Sequence, residues 1–111
     1  METLLILTSL PDAESADSLA RHLVEQRLVA CASILAPCRS VYRWQGAIEQ
    51  ATEVPLLLKS TASAYPALES AIRAGHPYEL PEIVAVPVAH GLPAYLAWVA
   101  AETIPPETTA C

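Results

Sequence analysis

The side chains in this 111-residue chain whose types and spacing could do chemistry fall into three groups: Cys31; the run His76, Tyr78, Glu79 and Glu82; and the set Tyr42, Trp44, Glu49, Glu53 and Lys59. A thiolate such as that of Cys31 suits cuprous ion or zinc, which prefer sulfur and imidazole donors. Its flanks, Ala30 and Ala32, read equally as a core strand in which a thiol is a small buried hydrophobe, and that reading outweighs the metal one on residue statistics. Cys38 lies seven residues on, so in an uninterrupted strand the two thiols face opposite sides; only a bulge at Pro37 brings them to one ion.

Gly75-His76-Pro77-Tyr78-Glu79-Leu80-Pro81-Glu82 puts an imidazole, a phenol and two carboxylates on a proline-stiffened loop. Loops held by rigid elements concentrate binding groups. The competing reading is that His76 caps a helix C-terminus and the carboxylates are solvated. In the third group, aromatics alternate with charges along a predicted hairpin, which fits either a pocket wall or an interface belt with buried rings and wet polar edges. His22 and His90 have no matching partner in the sequence. The strong catalytic signatures are missing: there is no G-x-S-x-G, no H-E-x-x-H and no C-x-x-C, and three glycines exclude a dinucleotide fingerprint.

The elements that must position these groups follow from periodicity. Leu4–Leu7 is a short apolar strand, after which Ala16, Leu19, Ala20, Leu23, Val24 and Leu28 form the stripe of an amphipathic helix. Residues 30–36 and 40–44 read as a strand broken near Pro37; Gln45-Gly46-Ala47 is a turn, and 48–60 returns as a long strand in which Pro55 implies a bulge or an unpaired position. A helix over 64–74 takes Ser63 as its N-cap and Pro66 in its first turn. A β-branched strand over 83–88 and a helix over 92–103 opened by Pro93 complete the order. Two strand-helix-strand units joined by a hairpin are the split βαβ pattern, so the expected class is α+β, ferredoxin-like, with a C-terminal helix. One domain over 1–104 and a loose tail over 105–111 are expected.

Composition sets the limits. Six basic against twelve acidic side chains give −6, with no basic stripe, which argues against a nucleic-acid partner. No apolar run approaches the roughly 20 residues of a membrane span, and the N-terminus lacks a basic signal region, so no membrane association and a cytoplasmic location are expected. Three cysteines, Cys31, Cys38 and Cys111, do not make a disulfide framework. Only 16% of residues are charged and 53% are hydrophobic. A small chain with one sheet face left bare and so little charge is expected to self-associate.

Several short runs, taken in order, resemble the CutA divalent-cation tolerance family: Ala30-Cys31-Ala32-Ser33-Ile34, Tyr42-Arg43-Trp44-Gln45-Gly46, Glu49 with Glu53, Lys59-Ser60, His76-Pro77-Tyr78 with Leu80-Pro81-Glu82, and Tyr95-Leu96-Ala97-Trp98. The resemblance spans roughly residues 4 to 104. It implies a ferredoxin-like subunit, similar to PII signalling proteins, in a homotrimer whose long hairpins pair with neighbouring subunits. It further implies a non-enzymatic role in tolerance of divalent metals, with Cys31 as the copper ligand and Trp44, Glu49, Lys59, His76, Tyr78 and Glu82 lining an intersubunit cleft for a metal ion or small molecule. The alternative it leaves is a PII-like sensor that takes a small anionic metabolite on Lys59 and reports to a protein partner. Thr8, Ala71 and Gly75-His76 stand where some copper-binding relatives have cysteines and a His-His pair, and Ser33 and Ser60 where many have Asn and Thr.

Overall fold

The apolar run near the N-terminus forms β1 (Thr3–Leu10), longer at both ends than its hydrophobic centre requires. The structure, a computed structural model, describes residues 2–104. The tail expected over 105–111, Cys111 included, lies outside the described residues.

Helix α1 (Ala13–Glu25) begins at Asp12, whose carboxylate accepts from the Ser15 N–H at 2.7 Å. That backbone bond, with the Ser15 hydroxyl next in weight, holds the Asp12 carboxyl below the usual range. The helix ends where Arg27 takes a left-handed φ of 58°. The Leu28 N–H then reaches the Leu23 carbonyl and the Arg27 N–H the Val24 carbonyl, the paired bonds of a Schellman ending. Leu28 is therefore buried outside the helix, while Val24, expected on the core stripe, is 43% exposed.

The next segment divides into β2 (Cys31–Ile34) and β3 (Cys38–Trp44), with the break around Pro37 as expected. Gln45 and Gly46, at φ 49° and 84°, make a two-residue turn with the left-handed pair that a twisted hairpin prefers. β4 (Ala47–Thr61) then returns over fifteen residues. The outer part of β4 pairs with β3, Trp44 opposite Ala47 through Cys38 opposite Glu53. Its inner part pairs with β2, Ile34 opposite Leu56 and Cys31 opposite Lys59. Four residues of advance on one side match three on the other, so the surplus residue lies at 35–37. The register of β4 against β1 runs without interruption through Pro55, so the irregularity that Pro55 implied is carried by the facing segment.

Helix α2 (Tyr65–Gly75) starts one residue later than expected, with Ala64 rather than Ser63 at the N-cap. Thr61 supplies the local acceptor, its hydroxyl taking the Ala64 N–H at 3.3 Å. β5 (Val84–Pro87) and α3 (Pro93–Glu102) follow. The sheet order is β2-β4-β1-β5, antiparallel throughout, which is the ferredoxin-like arrangement. Ile6 and Leu10 of β1 and Val54, Leu56 and Leu58 of β4 meet Leu19, Leu23, Leu68 and Ile72 of the first two helices in one core. α3 lies along β4 and β1, and the Arg27 guanidinium clasps its end by donating to the carbonyls of Ala101 at 2.7 Å and Glu102 at 3.3 Å.

Thr8 faces Leu56 in this core with its hydroxyl fully buried and without a hydrogen-bond partner among the described residues. An orphaned buried hydroxyl costs about 1–3 kcal/mol. Thr8→Val is expected to stabilise the fold by about 1 kcal/mol, read as a higher urea midpoint at unchanged slope. A lower midpoint would show that the hydroxyl contributes a bond the packing conceals.

Candidate functional site

The two-residue turn fixes which hairpin side chains share a face. Residues opposite one another in an antiparallel pair point the same way, so Tyr42, Trp44, Glu49 and Glu53 lie on one side of the ribbon. Arg39, Val41, Arg43 and Ile48 lie on the other. The loop leaving α2 comes back against the first side. Between them is a cleft of about 670 Å³. The hairpin lines it with Tyr42, Trp44 and Glu53, and the loop with Tyr78, Glu79 and Glu82 on a backbone stiffened by Pro77 and Pro81.

His76 holds that loop in place from behind. Its ring is buried, and Nε2 lies 2.7 Å from the Ser9 carbonyl of β1. The Tyr78 N–H donates to Nδ1 at 3.2 Å, so Nδ1 is the bare nitrogen and Nε2 carries the proton given to Ser9. The Tyr78 ring packs 4.8 Å from the imidazole. Burial, followed by its hydrogen bond to the Glu53 carboxylate, pushes the Tyr78 phenol up to about 12. The phenol thus stays protonated at neutral pH, with the Glu53 carboxylate of the hairpin as its neighbour in the cleft lining.

Of the residues singled out for a cleft, the structure brings together Trp44, Tyr78 and Glu82. His76 supports the cleft without lining it. Glu49 sits opposite Tyr42 on the same face, outside the lining. Lys59 is six positions from Glu53 along β4, about 20 Å at the usual rise, and its Nζ is instead 3.9 Å from the Cys31 sulfur. Tyr42, Glu53 and Glu79, candidates by residue type but outside the set that the resemblance implies, line the cleft too, with Leu80 and the two prolines. The parity of a two-residue turn at Gln45-Gly46 identifies the first two: Glu53 falls opposite Cys38, an even step from Tyr42 and Trp44. Arg73 lines an adjoining hollow on the α2 side of the loop, which shares Tyr78, Glu79 and Pro81 with the cleft.

The two thiols correct an expectation. The surplus residue at 35–37 does turn Cys38 to the same face as Cys31, since Glu53 and Lys59, their partners, are an even number of residues apart on β4. The same spacing keeps them about 20 Å apart, too far for one ion. Around Cys31 the near polar atoms are the Lys59 ammonium and the Ser33 hydroxyl at 4.0 Å, a donor set that does not fit copper within one chain. Among the described residues no three His, Cys, Asp or Glu side chains gather to hold a metal ion.

A family model described as CutA1 divalent ion tolerance protein matches residues 4–102. The divalent-cation tolerance protein CutA of Thermus thermophilus is 44% identical over 98 residues, covering 88% of this chain and 95% of that one. Among solved structures, CutA from Xylella fastidiosa is 43% identical with a TM-score of 0.90, covering 94% of this chain and all of that one. CutA1 from Oryza sativa superposes with a TM-score of 0.91 at 30% identity, covering 94% and 95%.

Proposed function

Since the chain belongs to the CutA1 divalent ion tolerance family, we propose that it works as a non-enzymatic, cytoplasmic homotrimer whose cleft between hairpin and loop binds a metal ion or small ligand. The observation that carries this reading is the cleft itself, a walled space within the 300–1,000 Å³ range of small-ligand sites, lined by three carboxylates and three aromatic rings. Nothing in it resembles an activated nucleophile: the one imidazole nearby spends both nitrogens on backbone groups. The cleft favours a cationic ligand over the anionic metabolite of the PII-like alternative, because Lys59 is remote from it. A thermal-shift panel tests the reading, since a species that binds only the native state raises its melting temperature. Shifts with cations support it; shifts confined to anionic metabolites favour the sensor.

Assembly rests on the family resemblance and on exposed apolar side chains. Val41 and Ile48 on the ribbon are 67% and 64% exposed, and Val84, Val86, Leu92, Tyr95 and Trp98 are also open. A second copy of the chain is the occupant proposed for these surfaces. A reducing compartment suits Cys31 and Cys38, both free thiols. Among the described residues no helix is long and apolar enough to cross a membrane. One structural relative, from Archaeoglobus fulgidus at 32% identity, is described as periplasmic.

Copper, by the same proposal, meets the protein at Cys31 and binds weakly. A thiolate alone does not make a stable cuprous site, and the ammonium 3.9 Å away opposes a cation. Titration against a competing chelator is expected to show less than one cuprous ion per chain, and Cys31→Ser to remove that binding while leaving the assembly intact. Tight, stoichiometric binding that survives Cys31→Ser places the metal elsewhere.

A further inference from the structure

We propose, on the reading of the cleft as a ligand site, that its ligand is a short polyamine: two or more ammonium groups on an apolar stem. The lining joins two kinds of group that a metal ion does not use together. A divalent metal needs several oxygens converging at about 2.0–2.6 Å, and the cleft carboxylates do not gather in that way. Separated carboxylates leave one compact cation unable to pair with all of them, whereas Glu53, Glu79 and Glu82 each accept from a different nitrogen of an extended chain. The aromatic rings act in the same direction. Tyr42, Trp44 and Tyr78 line the cleft with aromatic rings, which attract an alkylammonium, less tightly hydrated than a divalent metal ion, and cover the methylenes between its nitrogens.

No cation of the chain competes among the residues that line the cleft. Arg39 and Arg43 are on the far face of the ribbon and Lys59 is far along β4; Arg73 lines an adjoining hollow that shares Tyr78, Glu79 and Pro81 with the cleft, without lining the cleft itself. Glu49, beside Tyr42 on the near face, adds a further carboxylate for a longer amine.

Isothermal titration of the assembled protein with spermidine at low salt, beside calcium chloride and manganese chloride, tests the proposal. One spermidine per chain is expected, weakened about twofold to fivefold by Trp44→Leu, the range that one lost cation–π contact at an exposed position gives. Paired Glu79→Gln and Glu82→Gln changes, at exposed positions that leave folding unaffected by circular dichroism, are expected to weaken it at least as much. Glu14→Gln with Glu25→Gln removes the same charge from α1 and is expected to leave the affinity unchanged. Equal losses in the cleft pair and the α1 pair would reduce the binding to diffuse attraction by a chain of charge −6 and overturn the proposal. Binding of the metal salts in the cleft without spermidine overturns the polyamine while leaving the cleft reading intact, and no binding by either class overturns both.

Discussion

His76→Ala is expected to lower the unfolding free energy by about 2–4 kcal/mol, because it leaves the Ser9 carbonyl and the Tyr78 N–H unpaired where burial makes each cost about 1–3 kcal/mol. The void left by the ring adds to the loss. Urea unfolding at fixed protein concentration measures it, and a change under 1 kcal/mol would show that the loop does not depend on the imidazole. Two partial replacements separate the bonds. His76→Gln offers Ser9 a donor in place of Nε2, and His76→Asn offers Tyr78 an acceptor in place of Nδ1; each is expected to recover part of the stability. Since the Tyr78 ring leans on His76, the alanine variant is also expected to lose ligand binding in the cleft. Tyr78 gives a pH signature. A phenol raised from 10.0 to about 12 contributes stability that is complete below pH 10 and is lost as pH rises from there toward 12.

The second large effect concerns assembly. Val41→Asp combined with Ile48→Asp is expected to reduce the proposed trimer to a single chain of 11.8 kDa by light scattering at micromolar concentration. Both side chains are mostly exposed in the single chain and lie on the ribbon face away from the cleft, so the charges cost little to the subunit itself. Covered by a neighbouring copy, each substitution forfeits about 1.5–3 kcal/mol of apolar burial and adds an unpaired buried charge. A trimer that survives both charges, with unchanged circular dichroism, would show that the ribbon is not part of the interface. A wild-type chain that is already monomeric overturns the assembly proposal outright.

Much of the architecture was legible in the sequence because single residues set it. Gln45-Gly46 located the hairpin turn, Pro37 the break between β2 and β3, and Pro93 the start of α3. The errors came where a side chain's environment depends on distant chain. Val24 has the helical period of its buried neighbours but sits at the sheet edge, beside Ala32 and Ile34, where nothing covers it. Ser63 has the chemistry of an N-cap, yet the cap position falls on Ala64, whose N–H is taken by the Thr61 hydroxyl at the end of β4. In the site, Trp44, Tyr78 and Glu82 carry signals in the sequence and lie together along the cleft of the single chain. For His76 the residue types leave site and helix cap open and only the resemblance implies a cleft role; its bond to Ser9, 67 residues earlier, makes it a support in the single chain. Lys59 shares its strand with the hairpin residues, and strand length alone separates it from them.

The surplus residue between Ile34 and Cys38 reconciles two pairings that are fixed independently. β2 is aligned on β4 by the hydrophobic core, and β3 by the turn at the ribbon's tip. A slack joint of this kind makes the ribbon a detachable module in evolutionary terms. Two residues can be added to or removed from each arm near the tip without moving any core side chain to the wrong face, since alternation is restored every second position. Length variation among homologues should therefore collect in the ribbon in even steps, carrying its reach toward a neighbour with it and leaving the sheet beneath unaltered.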